Sequence, residues 1–224
     1  MRMRKKKNRM PRMERCEAFW IREPETMRGQ WQSLMPAAKE IHLEIGCGKG
    51  RFTVETAKAN PDVLFLAVEK VLDAMVIAME RAQLEGLSNV FFLGIDAEKL
   101  PEIFAEGEIS RIYLNFSDPW PGKRHAKRRL THGNFLKLYR KVLAENGALH
   151  IKTDNNDLFE FSIEEIPQFG FVLSEVTRDL HASGPCGIMT DYERKFYEEG
   201  LNINRCVATM VPWEEPKQEA SSEE

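Results

Sequence analysis

The stretch Glu44-Ile45-Gly46-Cys47-Gly48-Lys49-Gly50 constrains this chain more than any other. Ahead of it, Ile41, Leu43 and Ile45 alternate as a strand; behind it, Phe52 to Ala59 reads as a helix. A strand, a glycine turn and a helix start make a cradle, because glycines turn sharply and let a ligand approach backbone N–H groups. Leu64 to Val68 forms a second apolar strand, closed by Glu69. That spacing sets a carboxylate about 20 residues past the turn, where it can accept both hydroxyls of a ribose. The bland alternative is a βα turn whose glycines only cap elements. Turn, strand and carboxylate agreeing in spacing favour the cradle.

The turn reads G-x-G-x-G, not the dinucleotide spacing G-x-G-x-x-G. Glu44, two positions before the first glycine, sits poorly beside a pyrophosphate. It suits a cationic ligand, such as an ammonium near a sulfonium, which favours S-adenosylmethionine (SAM) over NAD.

From Ile41 onward, strand and helix patterns alternate, as in a parallel sheet. Val71 to Ala82 is an amphipathic helix, Val90 to Ile95 a third strand closed by Asp96, and Arg111 to Phe116 a fourth. The fourth runs into Ser117-Asp118-Pro119-Trp120-Pro121, a loop stiffened by two prolines. A helix over about Asn134 to Leu143 precedes a fifth strand, Leu149 to Thr153, which delivers Asp154. Strand C-termini of a parallel sheet share one edge, so Glu44, Glu69, Asp96, Asp118 and Asp154 are expected to border one crevice. Asp96 also suits a helix N-cap, and Thr190 with Glu193 suits a capping box. Phe171 to Val176 and Asn202 to Val211 are expected as an antiparallel pair at the sheet edge.

At 224 residues, with 42% hydrophobic and 30% charged side chains, the chain suits one domain with a full core. No apolar run approaches the roughly 20 residues that span a bilayer. The basic start lacks an apolar segment behind it, so it is not expected to be a secretory signal. Cys16, Cys47, Cys186 and Cys206 are scattered, as free thiols in a reducing cytosol would be, and suggest no metal site.

Charge is uneven. Residues 1–15 carry eight basic side chains against Glu14, whereas 214–224 carry five glutamates against Lys217. We expect a basic flexible arm over 1–18, a single domain over 19–213, with Trp20 and Trp31 packing its first segment, and an acidic disordered tail over 214–224. The arm on an acidic body suits an anionic polymer, or merely a solvated tail. In Lys123-Arg124-His125-Ala126-Lys127-Arg128-Arg129, six of seven residues are basic or potentially so. A run this dense after a stiff loop is expected to contact a phosphate backbone.

These motifs, together with Lys152-Thr153-Asp154-Asn155 and Thr190-Asp191-Tyr192-Glu193, resemble the bacterial tRNA (guanine-N7)-methyltransferase family over about Phe19 to Val211. The resemblance implies a Rossmann-like class I SAM-dependent methyltransferase fold. Its sheet would be mostly parallel and seven-stranded, with helices on both faces and an antiparallel edge strand. It implies methyl transfer from SAM to N7 of guanine 46 in the tRNA variable loop. We expect a cytoplasmic protein that needs no metal, as a monomer or a homodimer. Glu44, Gly46, Gly48, Glu69, Asp96 and Asp118 would border the cofactor, and Asp118 would be catalytic. Arg124, His125, Lys127, Arg128 and Arg129 would meet RNA, while Asp154, Thr190, Asp191, Tyr192 and Glu193 would line the substrate pocket. Many members carry a substrate-contacting lysine four residues after the catalytic aspartate; here Gly122 stands there and Lys123 follows. Three rivals are weaker. A small-molecule methyltransferase leaves the basic run unexplained, a non-catalytic RNA-binding protein the strand-end carboxylates, and an NAD oxidoreductase the glycine spacing.

Overall fold

The computed structural model describes residues 8–215. The first seven residues of the basic arm and the tail beyond residue 215 lie outside the described residues.

The first described elements are helix α1 (Arg9–Arg15) and a two-residue strand β1 (Trp20–Ile21). The alternating body follows: β2 (Glu40–Ile45), α2 (Arg51–Ala59), β3 (Val63–Val68), α3 (Leu72–Leu84), β4 (Val90–Leu93), α4 (Leu100–Ile103) and β5 (Ile109–Asn115). It continues with α5 (Gly133–Val142), β6 (Leu143–Thr153), α6 (Asn156–Glu165), β7 (Phe171–Thr177), α7 (Asp191–Glu198) and β8 (Asn204–Met210). These strands form one sheet in the order β1-β4-β3-β2-β5-β6-β8-β7. The pairs from β1 through β6 are parallel; β8 runs antiparallel between β6 and β7, giving the expected antiparallel pair at that edge. Chain direction across the sheet reverses between β2 and β5, the place where α/β sheets open a crevice at their strand ends.

Period-two alternation divides the core. Leu64, Leu66 and Val68 of β3 join Leu43, Ile112 and Leu114 on one face, against Phe104, Tyr139 and Phe159. Phe65 and Ala67 point the other way, onto Phe52 of α2 and Met75 and Met79 of α3.

Two expectations are corrected at the start of the chain. Among the described residues the sheet has eight strands, because Trp20 and Ile21 pair in parallel with Phe92 and Leu93 and extend the far edge. The basic arm is not free from residue 9 onward. Met13 and Cys16, three residues apart, are buried on one side of α1 and its end, and pack with α3 in the second core. Arg12 forks onto Glu80 with its Nε 2.7 Å from Oε1, and the Cys16 thiol donates to Gln83. Trp31 packs the next segment as expected: it is fully buried and its indole N–H donates to the Ile103 carbonyl at 3.1 Å.

Candidate active site

A cavity of about 1040 Å³ opens at the C-terminal ends of β2, β3 and β5. Its wall is built from the glycine turn, the segment from Glu69 to Ala74, Asn115 and Phe116, Arg9 of α1, and Thr190, Asp191, Tyr192 and Lys195 at the start of α7. The turn has this shape because Gly46, Gly48 and Gly50 all take positive φ, at 81°, 56° and 75°. At Gly50 a side chain would also collide with Ala78 of α3, so glycine there permits α2 and α3 to pack closely.

Two of the carboxylates that line this cavity, Glu44 and Glu69, differ in role. Glu44 is 2% exposed. It accepts the Thr53 hydroxyl and the Asn115 side-chain N–H, the latter at 3.0 Å. Burial pushes its carboxyl above the ordinary range, opposed by those two hydrogen bonds and the charge of Lys152. Asn115 Oδ1 beside it is buried and has no hydrogen-bond partner among the described residues. An orphaned acceptor next to a carboxylate fits a cationic donor such as an ammonium. Glu69 accepts the Gly48 N–H at 2.9 Å on one oxygen and the Val71 N–H at 2.8 Å on the other. Each oxygen keeps a lone pair for a ligand hydroxyl. Cys47, in the turn itself, is no nucleophile: burial drives its thiol well upward.

The other strand-end acids lie outside this wall. Asp96 is exposed and accepts the Glu98 N–H at 3.3 Å, capping a short 3₁₀ turn. Asp118 is exposed two residues beyond Phe116, and Asp154 is exposed after β6. The loop holding Asp118 is bounded by two strained residues, Phe116 with φ 54° and Trp120 with φ 42°.

The basic run forms a 3₁₀ helix, Lys123–Arg128, after Gly122 with φ 86°. Lys123, Arg124, Lys127 and Arg128 are exposed, His125 is half-buried, and Arg128 stacks over Trp120 at 4.7 Å. Arg129 departs from the expected phosphate contact. Its Nε donates to the Pro119 carbonyl at 3.0 Å and its Nη2 to that of Trp120 at 3.3 Å, while its guanidinium covers Phe161. It braces the Asp118 loop from beneath.

The Thr190 to Glu193 quartet splits. Thr190, Asp191 and Tyr192 line the cavity, and Asp191 pairs with Arg81 at 3.0 Å and Arg51 at 3.8 Å. Glu193, expected in the substrate pocket, is instead fully buried. It completes a capping box with Thr190 and pairs with Lys152 and His181. Sequence reasoning gave no role in this site to Arg9, Asn115, Lys152 or Lys195. Only Lys152 carried a signal, as a lone cation in the apolar strand Leu149 to Thr153.

Comparison with known proteins identifies the family. A family described as putative methyltransferase matches residues 38–206. The tRNA (guanine-N(7)-)-methyltransferase of Geobacillus kaustophilus (strain HTA426) is 47% identical over 213 residues, covering 95% of this chain and 98% of that one. The enzyme of the same name from Geobacillus thermodenitrificans (strain NG80-2) is 46% identical, covering 95% and 99%. Among solved structures, the 16S rRNA (adenine(1408)-N(1))-methyltransferase from Catenulisporales acidiphilia superposes with a TM-score of 0.60 at 16% identity, covering 83% of this chain and 94% of that one. A variant of that enzyme was solved with cosubstrate SAM. The structural likeness at such low identity establishes the fold. Near-half identity running the length of both chains goes further, and places this chain in the tRNA (guanine-N7)-methyltransferase family.

Proposed function

We propose that this chain transfers the methyl group of SAM to N7 of guanine 46 in the variable loop of tRNA. The observation that carries the cofactor side is the buried pair of Glu44 and the orphaned Asn115 Oδ1 in the cavity wall, which fits a ligand ammonium. Glu69 then meets the ribose hydroxyls, and Asp96 the adenine end. SAM supplies a methyl carbon already activated by its sulfonium.

Guanine N7 attacks with its own lone pair and has no proton to lose, so no strong base is needed. The protein's task is to align N7 with the methyl carbon and sulfur and to exclude water. The purine gains positive charge as the bond forms, and a carboxylate favours that charge. Asp118 takes this role, with Asp154 second; both can also accept from guanine N1–H and the adjacent C2 amine, a donor pair that adenine does not present, since its N1 carries no proton and its amine sits on C6. Drawing the base out of tRNA calls for an aromatic platform. Trp120 lies under Arg128, whereas Tyr192 lines the cavity and is 62% exposed. Tyr192 is therefore the better stacking partner. Exposed Lys123, Arg124, Lys127 and Arg128 hold phosphates, and Lys123 replaces the contact that Gly122 cannot make. Among the described residues no helix is long and apolar enough to cross a membrane, and all four cysteines are free thiols, which suits a cytoplasmic enzyme.

The test is incubation with methyl-labelled SAM and unmodified tRNA, followed by chain cleavage at 7-methylguanine. Label at one variable-loop guanine is expected. No incorporation rejects the enzyme reading, and label in another base rejects the N7 assignment.

A further inference from the structure

We infer that Lys152, Glu193 and His181 form a buried positioning centre that holds the first turn of α7 against the cavity wall, and that Glu193 serves there without touching tRNA. This rests on the SAM reading of the cavity.

Glu193 is 0% exposed. Its carboxylate accepts four hydrogen bonds: Lys152 Nζ at 3.0 Å to each oxygen, His181 Nε2 at 3.1 Å, and the Thr190 N–H at 3.2 Å. A carboxylate offers about four acceptor directions. All are filled, and no surface is left for a nucleobase.

The partners come from three separate segments. Lys152 belongs to β6, two residues before Asp154, and its ammonium also donates to the Ile188 carbonyl at 3.0 Å and lies 5.3 Å from the ring of Phe52 in α2. His181 accepts the Cys186 N–H on Nδ1 at 3.1 Å. That hydrogen bond sets the tautomer, so Nε2 carries the proton and donates to Glu193. Tyr197, on the next turn of α7, meets the His181 ring edge-on at 5.1 Å. The centre thus ties the end of β6, the 181–188 loop and α7 to one another. Its output is the cavity wall: Thr190, Asp191, Tyr192 and Lys195 line it from α7, and Phe196 packs on the wall residue Phe116 at 6.1 Å. Removing one partner leaves an uncompensated charge in the interior, which the helix relieves by moving outward.

The test measures SAM affinity by calorimetry without tRNA, alongside kcat and the KM for tRNA, in full-length wild type, Glu193→Gln, Lys152→Met and the double variant. Each single variant is expected to weaken SAM binding about tenfold, the scale of one disrupted buried hydrogen bond to a charged group, and to lower kcat, with the KM for tRNA nearly unchanged. The double variant is expected to bind SAM more tightly than Lys152→Met, because it leaves no lone buried charge. Single variants with wild-type SAM affinity and a raised KM for tRNA would overturn the inference and return Glu193 to substrate contact. Should Lys152→Met fail to fold, the isosteric Glu193→Gln decides alone on the same two readouts. Wild type that binds no SAM would overturn the cofactor reading and this inference with it; wild type that binds SAM as tightly as every variant overturns this inference only.

Discussion

Gly48 donates its backbone N–H to Oε2 of Glu69 at 2.9 Å, joining the glycine turn to the end of the next strand. Glu69 uses its other oxygen for the Val71 N–H at 2.8 Å, so one carboxylate orders both rims of the cavity. Glu69→Ala orphans two backbone donors and removes the ribose acceptor together. We expect the KM for SAM to rise by about tenfold or more and stability to fall by only about 1 kcal/mol, the net worth of a hydrogen bond whose donor can turn to water instead. At saturating SAM, kcat should stay near wild type. Initial rates over a SAM series and a denaturant titration check both halves. A loss confined to kcat would remove Glu69 from cofactor binding.

Arg128 and Arg129 are neighbours with different duties. Arg129 holds the carbonyls of Pro119 and Trp120, whereas Arg128 is exposed above the Trp120 ring. Arg129→Ala is expected to lower kcat, because the Asp118 loop loses its brace, and to leave the salt dependence of tRNA binding intact. Arg124→Ala with Arg128→Ala should weaken binding and reduce the slope of log K against log salt by roughly one for each phosphate no longer neutralised. Filter binding across a salt series separates the two classes. Equal slopes in all variants would make the run a solvated surface.

Asp118 stands between two residues at positive φ, Phe116 and Trp120, in a loop that prolines and Arg129 hold rigid. Such strain persists only where surrounding structure enforces it. Asp118→Asn keeps size and removes charge. It should lower kcat roughly hundredfold, the scale of removing one electrostatic partner of a transition state, while binding of SAM and tRNA stays close to wild type. Single-turnover rates with bound tRNA measure the chemical step directly. Comparable rates in the variant would take Asp118 out of the mechanism.

What the sequence disclosed and what it hid divide on physical grounds. The turn, Glu69 and the alternation of strand and helix through the body follow from local periodicity and short spacing, and their neighbours lie close along the chain. The capping box of Thr190 and Glu193 was legible for the same reason. The burial of Glu193 was not, because it depends on Lys152, 41 residues away, meeting His181 in the folded chain. Helix α1 looked solvated because its composition is basic. Its buried apolar contacts are Met13 and the capping Cys16, and the groove they fill is made by α3 about sixty positions on. Arg129 was hidden inside a run of like charges, where composition cannot say which member turns toward the protein.

His150 offers a stability reading independent of the active site. Burial, then the charges of Arg111 and Arg205, push its imidazole down to about 3. A base depressed in the folded state contributes stability that is full above the ordinary histidine value and is lost as pH falls toward the folded one. His150→Phe keeps a ring beside Tyr113, which lies 5.3 Å away. The variant should lose less Tm than wild type on acidification from about 6.5 to about 4. Calorimetric scans at those two pH values suffice, and parallel losses would assign the acid sensitivity to other groups.

Glu44 links cofactor binding to protons. Burial holds its carboxyl above the ordinary range in the free protein. A carboxyl raised on folding contributes stability that is present below its unfolded value, about 4.3, and lost as pH rises through the folded value. The cost of ionising it in the empty cavity falls when an ammonium arrives, since an opposite charge nearby favours the carboxylate. Binding of SAM should therefore release protons in the window between the carboxyl's value in the SAM complex and its raised value in the free protein, and affinity should climb with pH across that window, then level. Calorimetry in two buffers of different ionisation enthalpy counts the protons. Glu44→Gln is expected to bind SAM more weakly and to release none. Proton release that survives in Glu44→Gln would move the linkage to another group and leave Glu44 as a structural partner of Thr53 and Asn115.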